Sequence, residues 1–280
     1  MTILTGHPKI FNASKCLEVD GSTIVASTGD ASSSYSIDRN QDTFWTSVAS
    51  DDSTTETLTV TFAEDIAIDT LLFLDINWKG FVVKYDVAGT WTHFAAVFGL
   101  DGSKSNITET AFSDNTAYYN FTEVTTGSIQ ITITTTQTVN AEKYISQIIA
   151  TTEVGTFLGW PLVENMTFDR NSRVKTTLSG KVSVQKSLES FSTDLKFKNY
   201  PSTSTYNADI DLIMTLQDIE DPFILWLCGG RRGTYFNYII RGYRLKDAIT
   251  VQITSALGLS YTDNVLKNPV NAGVSLAEHI

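Results

Sequence analysis

Two segments of the chain alternate strictly between apolar and polar residues. Residues 58–62 read Leu-Thr-Val-Thr-Phe, and residues 128–134 read Ser-Ile-Gln-Ile-Thr-Ile-Thr. A period of two residues is the pattern of a β-strand with one buried face, because successive side chains of a strand point to opposite sides of its sheet. Most of the polar positions are threonine, whose β-branched side chain suits a half-buried sheet. Both segments therefore predict strands.

Further short strands are predicted around these two segments. Ile68–Ile76 is a nearly continuous apolar run, which is typical of a central strand buried on both sides. Phe81–Tyr85 and Trp91–Phe98 are predicted to form a hairpin around the turn 88–90, and Tyr144–Ala150 is predicted to be the last strand of this half. Because no long helix separates these strands, they predict an antiparallel sandwich.

The second half of the chain, from about Gly155, is predicted to be a separate β-rich domain. Its predicted elements are hairpin strands at 182–184 and 195–197 after a turn near Gly180, a short helix at 208–219 with Asn207 as N-cap, a buried strand at 223–228, a strand pair at 235–245 and 248–257, and an irregular or docked tail at 261–280.

The predicted fold class is therefore all-β. A jelly-roll sandwich at 27–154 precedes the β-rich domain at 155–280, which carries the one short helix. Residues 1–26 are predicted to form an N-terminal strand segment, for which pairing with the second domain is left open.

The charge balance narrows the classes of partner. The chain has 20 basic and 31 acidic residues, a formal net charge of −11. Nucleic acids and anionic membranes are bound through clustered Lys and Arg, so neither is an expected partner. The N-terminus lacks a signal-peptide pattern, and no window approaches the roughly 20 apolar residues of a membrane span. Cys16 and Cys228 are far apart and outside any CxxC pair, which predicts two buried thiols.

Signatures of catalysis are scarce. The chain has no GxSxG, HExxH or P-loop motif, and its three histidines are His7, His93 and His279, two of them near the chain ends. Counting carboxylates does not exclude a glycosidase pair, but most acids fall in polar loops such as Asp51-Asp52, where solvated charge is the simpler interpretation. The sequence predicts that the protein is not an enzyme, and a glycan-active enzyme is the third hypothesis.

The segment Ile37–Ser47 reads Ile-Asp-Arg-Asn-Gln-Asp-Thr-Phe-Trp-Thr-Ser. It resembles the start of discoidin-like, or galactose-binding-like, domains, where Asp, a turn and Thr-aromatic-Trp-x-Ser recur. The strand Leu58–Phe62 and the closing strands within Ser128–Ala150 are similar to that family as well, with Gln147 in place of the more usual Glu. The resemblance covers residues 27–154 and implies a discoidin-like sandwich.

Three residues of this motif are predicted to define the fold. Asp38 can bond local backbone amides and fix a turn, Thr43 follows that turn, and Trp45 can cap one end of the core with its indole N–H bonded at the rim. This interpretation is favoured over a role in binding a ligand.

Ligand binding in discoidin-like domains occurs on loops at one end of the sandwich, which makes Asn77, Trp78, Lys79 and Trp91 the candidate ligand-binding residues. Trp78 is a candidate loop-tip aromatic for stacking on a sugar, and the alternative is that it packs within its own domain.

No cofactor is predicted. Family members that bind calcium do so through loop carboxylates and carbonyls, and Asp30, Asp38 and Asp42 are compatible in type. No dense Asp/Asn/Gly loop supports such a site, so calcium is left open.

The order of elements in residues 155–265 resembles that of bacteriophage distal tail and baseplate proteins. This resemblance implies a virion protein of a phage tail that assembles with copies of itself and with other tail proteins, and that is located in the virion. Arg231 and Arg232, in a Gly-rich turn, are candidate interface residues, with two exposed arginines as the alternative. A carbohydrate-binding protein outside any virion is the second hypothesis.

Overall fold

A computed structural model describes residues 9–12, 14–38, 43–49, 51–99 and 102–157 with their side chains. Beyond them it describes the segments 161–176, 182–197, 208–209, 211–212, 223–226, 249–253, 258–260 and 271–278. The described residues form two compact units. The first contains Phe11–Val154, and the second contains residues 9–10 and the described residues from Gly155 onward.

Strands dominate the described residues, which confirms the all-β class. The strands are β1 (Lys9–Phe11), β2 (Thr23–Ala26), β3 (Trp45–Thr46), β4 (Glu56–Leu74), β5 (Trp78–Val87), β6 (Thr90–His93), β7 (Val97–Gly99), β8 (Gly102–Lys104), β9 (Thr108–Glu109), β10 (Ala117–Thr136), β11 (Tyr144–Ile145), β12 (Gln147–Thr151), β13 (Glu153–Thr156), β14 (Pro161–Thr176), β15 (Val182–Phe197), β16 (Phe223–Trp226), β17 (Ile249–Ile253), β18 (Gly258–Ser260) and β19 (Asn271–Glu278). Two 3₁₀-helices span Glu18–Asp20 and Asp30–Ile37.

Strand β4 joins two segments that the sequence predicts as separate strands. Its first half shows the predicted alternation, with Leu58, Val60 and Phe62 buried between less buried threonines. In its second half residues 71–74 are all fully buried, which confirms a strand covered on both sides. The predicted break between the segments is wrong, because β4 is continuous through its polar middle and its pairing with β10 resumes at Ile66.

Strand β10 pairs with both halves of β4 and folds the sheet over on itself. Its C-terminal half lies opposite the first half of β4 and its N-terminal half opposite the second, with two register shifts between Asn120 and Ser128. Such shifts are β-bulges, at which a strand bends. Leu58, Phe73 and Tyr119, which come from both halves, meet in one buried cluster. The sandwich therefore has two layers, with its core between the halves of these two strands.

The predicted hairpin is formed by β5 and β6. Its loop is the two residues Ala88 and Gly89, which both have positive φ, 51° and 85°. This is the geometry of a type I′ turn, whose twist matches that of the flanking strands. The single strand predicted over Trp91–Phe98 is wrong, because β6 ends at His93 and Ala96 takes a left-handed φ of 53° before β7 begins.

Cys16 is a buried thiol, as predicted for a cysteine without a partner. Its Sγ donates a hydrogen bond to the carbonyl of Ile148 at 2.9 Å, and burial raises the pKa of the thiol to about 11. A thiol with such a pKa is inert at neutral pH, so Cys16 serves the core. Cys228 lies outside the described residues.

The second unit is built on an eight-stranded sheet in the order β13-β1-β16-β17-β19-β15-β14, with β18 beside β19. The hairpin of β14 and β15 surrounds the predicted turn near Gly180, and each of its strands has 16 residues. Of the N-terminal 26 residues, β1 lies in this sheet whereas β2 pairs with β4 in the sandwich.

Two predictions for the second unit need correction. The hairpin strands predicted at 182–184 and 195–197 are parts of the one strand β15, because the polar residues between them keep their pairing with β14. The irregular tail contains β19, which pairs with β15 and β17. Its alternation is short and weak, with Val274 and Leu276 as the two large apolar residues among Asn, Ala, Gly, Ser and Glu.

The helix predicted at 208–219 falls mostly outside the described residues. Positions 208–209 and 211–212 are helical, and Asp209 is buried. Within the described part of the chain, no helix has both the length and the apolar character needed to cross a membrane.

Candidate functional site

One end of the sandwich gathers the loops that flank the Ile37–Ser47 motif. We call it the motif end, and it consists of residues 43–49, 51–55, 75–78, 112–116 and 137–146. Backbone hydrogen bonds join these loops: the N–H of Ser47 donates to the carbonyl of Lys143 at 2.8 Å, and the N–H of Ile76 donates to that of Asn115 at 2.7 Å. The bend in β4 and β10 is what brings segments so distant in sequence to one end.

Asp38 and Thr43 tie the motif to the closing strand of the sandwich. Asp38 accepts a hydrogen bond from the Thr43 hydroxyl at 2.8 Å and another from the side-chain amide of Gln147 at 2.9 Å. The same amide of Gln147 also donates to the carbonyl of Tyr35 at 2.8 Å. Both carboxylate oxygens of Asp38 are thus used in contacts within the fold, and the donors in these contacts are side chains, whereas the sequence analysis expects local backbone amides.

Trp45 closes the core at the motif end. Its side chain is fully buried, and its Nε1 donates to the carbonyl of Thr28 at 3.1 Å. Gly29 lies directly against it, with a φ of 63° and no room for a Cβ atom. The sequence prediction that the indole finds its partner at the rim corresponds to this bond.

Hydrogen-bond donors already occupy the carboxylates of Asp30 and Asp38, which the sequence analysis left open as calcium ligands. Asp30 accepts the N–H of Ala26 at 2.9 Å, and Asp38 is occupied by the amide and hydroxyl donors described above. Among the described residues, no group of three or more His, Cys, Asp or Glu side chains is placed to hold a metal ion. Asp42 lies outside the described residues.

Trp78 is part of the core and not a loop-tip aromatic. It is fully buried at the start of β5 and contacts Phe73 and Phe81, with ring centroids 5.7 and 5.5 Å away. The prediction of an exposed ring for sugar stacking is therefore wrong, and the alternative of packing within the domain is correct. The reason is that Trp78 begins a strand, whereas the sequence suggested a loop.

Asn77 holds the 142–144 segment in place. Its Nδ2 donates to the carbonyl of Glu142 at 2.7 Å, and its Oδ1 accepts the N–H of Tyr144 at 3.1 Å. Lys79, two residues later, is exposed at the same end. Asn77 thus positions the backbone beneath an exposed tyrosine.

Trp91 does not join the other candidate residues. It is half-buried on β6 opposite Asp86, next to the two-residue turn at the far end of β5. A strand advances about 3.3 Å per residue, which places roughly 30 Å between Trp91 and Asn77. Arg231 and Arg232, the candidate interface residues, lie outside the described residues.

Sequence reasoning missed an exposed aromatic pair at the motif end. Phe44 and Tyr144 are 38% and 37% exposed, and their rings meet edge to face with centroids 5.8 Å apart. Their exposure follows from the strand period. Each precedes a fully buried strand residue, Trp45 or Ile145, and successive side chains of a strand point to opposite sides of the sheet.

Two aspartates and a buried lysine stiffen the loops beneath this pair. The fully buried Lys143 donates from Nζ to the carbonyl of Asp51 at 2.9 Å. Hydrogen bonds from the side chains of Ser53 and Thr54 lower the pKa of Asp51. Burial acts to raise the pKa of Asp52, but its hydrogen bonds and the charge of Lys143 outweigh burial and lower it. Both aspartates are therefore ionised at neutral and mildly acidic pH.

Solved structures of carbohydrate-binding modules are similar in structure to about half of this chain. Chitosan-binding module 1 of a chitosanase/glucanase from Paenibacillus sp. IK-5 is 14% identical, with 49% of this chain and 97% of the module covered and a TM-score of 0.39. The family 32 carbohydrate-binding module of C. perfringens NanJ, in complex with galactose, is 14% identical, with 51% and 98% covered and a TM-score of 0.39. A pectin-binding module is 18% identical, with 46% and 88% covered and a TM-score of 0.35.

No protein-family profile matches the chain. No curated protein matches it.

Proposed function

We propose that the sandwich binds a carbohydrate at the motif end, with Phe44 and Tyr144 as the surface on which a sugar ring packs. The observation that carries this proposal is the exposure of two mutually contacting aromatic rings, one just before β3 and one at the start of β11, at the end of a sandwich. Aromatic side chains are buried in most proteins, so a paired and exposed set is typical of a binding surface.

The surroundings of the pair suit a shallow sugar site. The side-chain nitrogen and oxygen of Asn77 both bond the backbone beneath Tyr144 and fix it. The buried Lys143 anchors the neighbouring loop. A surface that is already fixed loses little conformational freedom when a ligand binds. The apolar C–H face of a sugar ring fits such a rigid aromatic surface, and the loop carboxylates and amides offer partners to its hydroxyl groups.

Alanine variants of the aromatic pair test this proposal. We expect the double variant Phe44→Ala/Tyr144→Ala to lose at least about tenfold in affinity for any glycan that the protein binds on an array, which corresponds to about 1.4 kcal/mol. The fold is retained, because both rings are partly exposed. The matched control is Phe98→Ala, which removes an aromatic that is 41% exposed on β7. Equal affinities of the double variant and the parent protein would contradict the proposal, as would an array without binding.

Assembly through the second unit is the second candidate function. The supporting observation is β14, a strand of 16 residues at the edge of the eight-stranded sheet, whose outer side pairs with no other described strand. An unpaired strand edge offers a row of backbone donors and acceptors to another chain. The tail resemblance implies copies of this protein as the partner, in a virion. The prediction that the chain is not an enzyme is part of both candidate functions.

Sedimentation of the full chain over a range of concentrations tests the assembly candidate. We expect the weight-average mass to rise with concentration to a defined oligomer. Cross-linked peptides identified by mass spectrometry should come from the 161–197 hairpin. A constant monomer mass at all concentrations, or cross-links confined to the sandwich, would count against assembly through this edge.

A further inference from the structure

We infer that the motif end selects glycans without negative charge, and that Glu142 beside Tyr144 gives it a preference for positively charged amino sugars. The inference rests on the proposed function, since it names the class of sugar that the aromatic pair would receive. The inference is argued from the carboxylate of Glu142 and from the charges around the pair.

Glu142 is an exposed carboxylate two residues before Tyr144. The two residues are exposed on either side of the buried Lys143, and this alternation of burial indicates that they face the same side of the chain. Among the described residues, the Glu142 carboxylate has no hydrogen-bond or ion-pair partner. A sugar packed on Tyr144 therefore has an unpaired carboxylate within reach of its substituents.

Asn77 does not compete for this role. Its side chain bonds the backbone of Glu142 and of Tyr144, at 2.7 and 3.1 Å. These bonds hold the carboxylate-bearing residue and the aromatic residue in one fixed arrangement. Asn77 is a positioning residue, and Glu142 is the residue that meets the ligand.

Most of the charges around the pair have the same sign as Glu142. Of the described residues in the motif end and directly next to its ranges, six are acidic and two are basic: Asp51, Asp52, Glu56, Asp75, Asp114 and Glu142 against Lys79 and Lys143. Lys143 is buried beneath the loop and bonded to Asp51, which leaves Lys79 as the exposed cation of this set. A uronic or sialic acid would meet net repulsion there, whereas a protonated amine would be attracted.

Oligosaccharides that differ only in charge test the inference. The probes are a β-linked glucosamine hexamer at mildly acidic pH, where its amines are protonated, the fully N-acetylated hexamer, which is neutral, and a galacturonic acid hexamer. We expect the glucosamine hexamer to bind about threefold more tightly than its neutral counterpart, the size of effect that one exposed charge pair gives. This ratio should shrink at high salt, and the galacturonic acid hexamer should bind most weakly.

The variant Glu142→Gln separates charge from shape. It should lower the affinity for the glucosamine hexamer more than the affinity for the neutral hexamer, and so remove most of the preference. Its matched control is Glu123→Gln, which removes an exposed carboxylate from β10 and should preserve the preference. A preference that survives Glu142→Gln, or a tighter binding of galacturonic acid, overturns the inference and leaves the proposed function standing. Binding of none of the probes, together with a silent glycan array, overturns both.

Discussion

Replacing Gly29 with alanine is expected to lower the free energy of unfolding of the sandwich by roughly 4 kcal/mol, at the upper end of what single substitutions do. Two costs add at this position. Its φ of 63° is in the left-handed region, and a Cβ atom there would lie 2.2 Å from the carbonyl oxygen of Thr46. The clashing atom belongs to the backbone of β3, so no rotation of a side chain relieves it.

The control for this substitution is Gly89→Ala. Gly89 also has a left-handed φ, of 85°, but a Cβ atom would meet no neighbour within 4 Å. It should therefore show only the conformational cost, about 1–2 kcal/mol. Native-state hydrogen exchange of the β4 and β10 amides, followed by mass spectrometry, measures both losses within the sandwich. Equal losses in the two variants would contradict the tight contact between Gly29 and β3.

The sandwich was predictable from sequence because its strands carry one-sided alternation. The pattern of residues 58–62 and 128–134 is a local property, and the structure buries the predicted side of both segments. The full length of β4 and β10 was not predictable, because their pairing shifts register at a polar stretch and resumes beyond it, which leaves no signal in side-chain polarity. The tail strand β19 was missed because its alternation rests on two large apolar residues, Val274 and Leu276.

The candidate site was predictable only in part. Asn77 and Lys79 fall at the motif end, because a residue that follows an apolar run ends near a loop. Trp78 was misplaced between them, since a tryptophan next to Lys and Gly has the same sequence context in a loop as at the first position of a strand. The pair of Phe44 and Tyr144 depends on β3 lying beside β11, and that pairing spans almost a hundred residues of chain.

Substitution by phenylalanine is expected to lower the free energy of unfolding by different amounts at the two buried tryptophans of the sandwich. Trp45 donates from Nε1 to the carbonyl of Thr28, whereas Nε1 of Trp78 is buried without a hydrogen-bond partner among the described residues. Trp45→Phe leaves a carbonyl without its donor, which adds about 1–3 kcal/mol to the loss of packing. Trp78→Phe removes an unpaired donor from the core, and this gain offsets part of its loss of packing.

Complete truncation of Trp78 should be far more costly. Trp78→Ala opens a cavity beside Phe73 and Phe81 and should lower the free energy of unfolding by about 3–5 kcal/mol. Denaturant titrations of Trp45→Phe, Trp78→Phe and Trp78→Ala, with hydrogen exchange to assign the transition to the sandwich, measure the series. The expected order of stability is Trp78→Phe above Trp45→Phe, with Trp78→Ala lowest. A folded Trp78→Ala variant that loses glycan binding at unchanged stability would contradict the structural role of Trp78, because a buried ring affects a surface site only through the fold.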